Sequence, residues 1–213
     1  MGKTKNAALL LFSPMTNVRV TPAPWCWGLW LQWLFVTLIG FLASLYWLEV
    51  GGRPDLNAID GAIGGAAIGV AQWWVIRQKI PNAWLWILIS IACWSILGIS
   101  HIGVVGWIAP STSNLLIRMG YGVLNGIQVG LLMGTTQWLT FRKSIPKAQR
   151  WILMSAIGWG LGLVLGWSLG EILHRWTGIF LGEVMGLTLG WITVAVVTGA
   201  ALVRHSSPKV HST

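Results

Sequence analysis

The sequence predicts an all-α fold: a polytopic bundle of six transmembrane helices, built from three two-helix repeats, with both termini in the cytoplasm. Three observations carry this. The 213-residue chain is 55% hydrophobic and 9% charged, where soluble domains carry about 25% charged residues. Apolar runs near the roughly 20 residues needed to cross a bilayer recur along it. One stretch, GGAAIGVAQWWVIRQKIPNAWLW from Gly64, returns as QVGLLMGTTQWLTFRKSIPKAQRW from Gln128.

Residues 1–24 hold Lys3, Lys5 and Arg19, and a short apolar run stopped by Ser13 and Pro14. That run is too short for a secretory signal, so the segment is expected to be a cytoplasmic tail. The membrane domain covers 25–203. Its spans are expected at Trp25–Leu48, Ala58–Ile76, Ala83–Ile108, Ile117–Phe141, Trp151–Gly170 and Gly178–Val203. The repeats then run over about 25–76, 83–141 and 151–203, with 204–213 a second cytoplasmic tail. Pro81 and Pro146 are placed to open spans 3 and 5, where a missing backbone donor costs nothing. Asp60 and Asn125 are placed to cap spans 2 and 4.

The formal charge of +9 would suggest nucleic acid for a soluble protein. Here the basic residues gather at helix ends, which is an orientation signal in a membrane protein, so no nucleic-acid partner is expected. With the N-terminus inside, 11 of the 14 lysines and arginines fall on the cytoplasmic side, and all five acids lie on or toward the other. Cys26 and Cys93 form no metal or disulfide pattern and read as small apolar packers. No cofactor or metal is required by the sequence.

The repeat pairs Gln72 with Gln137 at an offset of 65 positions, and with it Gly65 with Gly130, Gly69 with Gly134, Trp73 with Trp138, Arg77 with Arg142 and Trp86 with Trp151. At about 100° per residue, Gly61, Gly65, Gly69 and Gln72 share one stripe of span 2, and Gly126, Gly130, Gly134 and Gln137 one stripe of span 4. Glycine lets a neighbouring backbone approach, and the amide can bond across the seam. These eight residues are the expected packing surface and polar lock. A third, degenerate copy matches Gly182, Gly186 and Gly190, with Thr193 and Val194 in place of Gln–Trp and no arginine after them; on the odd spans it sets Trp25/Trp33 against Trp86/Trp94 and Trp151/Trp159. Trp73, Arg77, Trp86, Trp138, Arg142 and Trp151 flank the cationic turns and are expected to anchor at the lipid interface.

Polar residues inside spans are default suspects for function. His101, Arg118 and Glu183 form the candidate ligand or ion site, with Arg175 and His174 as further partners for Glu183. Gly166–Trp167–Ser168–Leu169–Gly170 fits the hydrolase GxSxG pattern. That elbow needs a strand before it, and this segment ends a transmembrane helix, so no catalytic residue is assigned.

The unit GxxxGxxQWxxxR followed by IPxAxxW resembles uncharacterised multi-spanning proteins of cyanobacteria with GxxxGxxQWxxLR-type repeats, over residues 25–203. The resemblance implies a plasma- or thylakoid-membrane protein and implies no activity. The function expected is that of a non-enzymatic packing, assembly or lipid/pigment-associated module. Membrane lipids, a membrane-protein partner or a second copy are its partners. The alternative is a small transporter or channel subunit with Glu183, His101 and Arg118 on its pathway.

The charge asymmetry makes a direct prediction. In a cysteine-free background, single cysteines at Ser144 and Ser206 will react with a membrane-impermeant maleimide only from the cytoplasmic side, and a cysteine at Asn57 only from the other. Labelling of Ser144 from outside reverses the assignment.

Overall fold

A computed structural model describes residues 27–47, 57–100, 109–110, 112–144 and 147–206. His101 and the tails 1–24 and 207–213 lie outside the described residues. The described residues are all-helical in their regular structure, with α1 Trp27–Trp47, α2 Ala58–Ile76, α3 Leu85–Ser100, α4 Leu115–Phe141, α5 Arg150–Thr177 and α6 Leu181–Ser206. Five of these are long and apolar enough to cross a membrane, and α3 is an apolar helix of 16 residues. Helices suit that setting because each satisfies its own backbone groups without water.

The helix ends follow local chemistry. Asn57 caps α2 by accepting from the N–H groups of Ile59 and Asp60, while the Asp60 carboxylate accepts from the Asn57 N–H. Asp60 is therefore the second half of a capping box. Asn114 caps α4 in the same way, and Asn125, expected at that start, lies buried in the helix interior. Pro81 does not open α3. It precedes Asn82, whose φ of 54° is left-handed, as is Lys147 at 56° in the matching turn, and each helix begins three residues later. Helix α5 continues seven residues past the expected stop at Gly170. It ends instead at Gly178, which takes the left-handed cap with φ 68°.

Among the described residues each helix packs against its sequence neighbours, and α1 also packs against α6, so the six close into a ring. The sparsest contact in that ring is between α3 and α4. The centre is filled with aromatic rings in two clusters. Trp33, Trp86 and Trp151 meet edge to face in all three pairings, with centroids 5.8–5.9 Å apart. Trp94, Trp159 and Trp191 form the second cluster, with Phe41 stacked on Trp191 at 5.1 Å. Such tilted and offset contacts are the favourable geometries for ring quadrupoles. Outside, Phe35, Val70, Leu88, Leu131 and Leu161 are exposed, an apolar coat suited to lipid.

Glycine sets the spacing. Gly61, Gly65 and Gly69 of α2 lie against the α3 backbone, and Gly126, Gly130 and Gly134 of α4 against α5. A Cβ at Gly65 would meet the Ser90 carbonyl oxygen at 2.6 Å, and one at Gly130 the Ala156 Cα at 2.5 Å. Gly182, Gly186 and Gly190, placed by spacing in a third such stripe, face the preceding helix α5 at His174, Gly166/Gly170 and Gly162.

Gly65→Leu and Gly130→Leu will therefore lower folded yield in detergent well below wild type, because backbone cannot move aside. Gly120→Leu, with nothing within 4 Å of its added Cβ, will express like wild type. Equal yields for all three would place the stripe away from any helix contact.

Candidate functional site

At one end of the bundle the start of α4, the end of α5 and the start of α6 meet. They bring Arg118, Glu171, Arg175 and Glu183 together. Arg118 Nη2 lies 2.7 Å from Glu171 Oε2, and Nη1 lies 2.9 Å from Glu183 Oε1. Arg118 also donates through Nε to the Thr112 carbonyl at 2.7 Å and through Nη1 to the Trp167 carbonyl at 3.0 Å. Glu171 accepts at its other oxygen from Arg175 Nε at 2.7 Å, one helical turn on. Arg175 further bonds the Ser113 carbonyl.

The sequence builds this locally. Gly170 has no side chain where Glu183 Oε2 passes, which lets the carboxylate reach across α5 toward Arg118. Glu183 also sits in the first turn of α6, where the helix dipole favours an anion. The planar guanidinium, with its fork of five donors, suits two carboxylates and two carbonyls at once. Two cations and two anions cancel. Side-chain exposure is 6% for Arg118, 8% for Glu171 and 19% for Glu183, against 48% for Arg175, so Arg118 and Glu171 are buried and the cluster opens to the outside at Arg175.

Of the expected site residues, Arg118 and Glu183 are joined, and His101 lies outside the described residues. Arg175 belongs to the cluster through Glu171 rather than Glu183. His174 is elsewhere, its Nδ1 3.0 Å from the Ile179 carbonyl oxygen. Glu171 is the residue the sequence reading missed. Its signal was the i, i+4 spacing to Arg175, visible once span 5 is carried on to Gly178. Ser168 sits within α5 with a buried hydroxyl that has no bonding partner among the described residues. Among the described residues no three His, Cys, Asp or Glu gather as metal ligands.

A polar belt lies in the bundle core. Trp86 Nε1 donates to Gln72 Oε1 at 3.0 Å, and Trp151 Nε1 to Gln137 Oε1 at 3.1 Å. Trp33 Nε1 donates to Thr198 Oγ1 at 3.0 Å. Gln72 Nε2 goes on to donate to Thr37 Oγ1 at 3.2 Å. Trp86 and Trp151, expected at the lipid interface, are instead inside, at 1% and 2% exposed. The turn places them near a helix start, but the helical phase points them inward at the glutamines. Trp73 and Trp138 are half-buried at the bundle edge, each beneath an arginine. Arg77 lies 5.3 Å from the Trp73 centroid and 3.5 Å from that of Trp74, and Arg142 lies 5.4 Å from Trp138. Arg77 and Arg142 are also the C-caps of α2 and α4, where positive charge meets the helix dipole.

Comparison with known protein families, curated proteins and solved structures gives no significant match to this chain.

The ion cluster makes a graded prediction for unfolding in detergent. Arg118→Leu strands Glu183, leaves Glu171 with Arg175 alone, and will cost about 3–5 kcal/mol. Glu183→Gln keeps a carbonyl acceptor in a partly exposed position and will cost less, about 1 kcal/mol. Glu171→Gln will fall between them because Glu171 bridges both arginines. Equal and negligible effects from all three would show that the cluster contributes nothing to the fold.

Proposed function

We propose that this chain is a non-enzymatic integral membrane scaffold, a packing or assembly module whose outer faces meet lipid and a partner membrane protein or a second copy of itself. The observation that carries the reading is the ion cluster, whose charges are spent on one another. The charged cluster neutralises itself, and among the described residues the tryptophan core encloses a cavity of about 30 Å³. A transported ion needs a passage and an unspent charge, and a macrocyclic pigment needs hundreds of Å³.

Three helix pairs are part of this reading, with the third completed by joining the two ends of the chain. The bonds Gln72–Trp86 and Gln137–Trp151 span the same number of residues, and Thr198–Trp33 is their counterpart between α6 and α1. The pairs are then α2–α3, α4–α5 and α6–α1. Arg204 follows Thr198 by six positions, as Arg77 and Arg142 follow their glutamines by five. Both termini and the cationic turns face the cytoplasm, and the repeat resemblance favours a plasma or thylakoid membrane.

The transporter reading keeps one specific support, the pair of inward carboxylates Glu171 and Glu183, since intramembrane acids often mark ion routes. Proteoliposomes separate the two. With an internal pH dye and an imposed gradient, the scaffold reading gives proton flux equal to that of protein-free vesicles. Flux that disappears in Glu171→Gln at unchanged melting temperature would overturn it in favour of transport.

A further inference from the structure

The polar belt is complete on one side of the core and incomplete on the others. Four residues after each tryptophan of the first cluster stands a hydroxyl: Thr37 after Trp33, Ser90 after Trp86 and Ser155 after Trp151. All three are buried. Thr37 accepts directly from the Gln72 amide. By the same arrangement Gln137 should close on Ser90, and Thr198 on Ser155. Yet Ser90 Oγ is shielded from solvent and has no bonding partner among the described residues. Thr198, shorter than a glutamine, spends its proton on the Val194 carbonyl of its own helix.

The place where these bonds fail to close is hollow. The cavity of about 30 Å³ is lined by Gln72, Ser90, Gln137, Ser155 and Thr198 among its polar residues, and walled by tryptophans of both aromatic clusters. A water needs about 10–15 Å³ of such space and two to four polar partners, whereas voids that stay dry are apolar throughout. An unpaired hydroxyl in this setting is costly, and water is the one ligand small enough that both donates and accepts.

We propose that the cavity is a binding site for one or two ordered water molecules, bridging Ser90 to Gln137 and reaching Ser155. Water there completes the belt that the Gln72–Thr37 bond completes elsewhere. It also explains why two serines stand in an otherwise aromatic core. The site is separate from the ion cluster, whose residues do not line it, and does not depend on the scaffold reading.

Diffraction from the purified protein, at a resolution that shows ordered water, tests this directly. A density peak within hydrogen-bond distance of Ser90 Oγ and the Gln137 amide is the expected result. A cavity without density, or one that takes up xenon under pressure, would overturn it. The sign of a stability change gives a second test. Ser90→Ala removes an anchor of the bound water and will lower the melting temperature by about 2–4 °C. In a dry cavity the same change deletes an unpaired hydroxyl and raises or preserves the melting temperature. If Ser90→Ala fails to fold, the density and xenon results on the wild-type protein decide alone.

Discussion

A tryptophan buried among helices carries one polar atom, the indole Nε1, which is costly to bury without an acceptor. The first tryptophan cluster meets that demand three times at one level, whereas the buried Trp167 Nε1 has no partner among the described residues. Gln72, Gln137 and Thr198 supply acceptors from even-numbered helices to Trp86, Trp151 and Trp33 on odd-numbered ones. Each bond fixes the rotation of two helices at once. With all three made, the indoles meet edge to face at the centre. Inside hydrocarbon there is little hydrophobic gain from bringing helices together, so these directional contacts and close packing must supply what burial supplies in water.

Glycine provides the close packing. A glycine within a helix costs about 1 kcal/mol relative to alanine, and α2 and α4 each accept several. What offsets the cost is contact of backbone on backbone along the α2–α3 and α4–α5 seams. Those same seams set the depth at which the glutamines meet their tryptophans. At the far end of the bundle Gly170 serves a different purpose, leaving room for Glu183 to cross toward Arg118. Packing and polar pairing are thus one arrangement seen at two positions. The apolar exterior is suited to lipid.

The all-helical fold and the six helices in their order were legible in the sequence, because hydropathy is a strong signal. The bounds of α2 are those its apolar run predicts, with Asn57 as the cap where Asp60 was expected. Where the sequence misled, a local cue competed with helical phase. Gly170 resembles a helix stop, but a glycine in right-handed conformation ends nothing, and the true cap is the left-handed Gly178. Stopping at Gly170 pushed Glu171 out of the helix and hid its turn-spaced partner Arg175. Trp86 and Trp151 follow cationic turns, as interface tryptophans do, while their phase relative to Ser90 and Ser155 turns them inward. Gly182, Gly186 and Gly190 repeat a spacing but face the other neighbour. The alignment they suggest therefore misses Thr198, where a hydroxyl stands in for an amide. The pairing of Arg118 with Glu171 was invisible for a simpler reason: it depends on three helix ends meeting.

The central claim is that indole-to-amide bonds between helices hold this bundle in register. A double-mutant cycle on Trp151→Phe and Gln137→Leu, read as unfolding free energy in detergent or bicelles, tests it most directly. The account predicts that the two substitutions are not additive, with a coupling of about 0.6–1.7 kcal/mol, the span of interhelical hydrogen bonds in membranes. Strict additivity, each loss independent of the other, would contradict it.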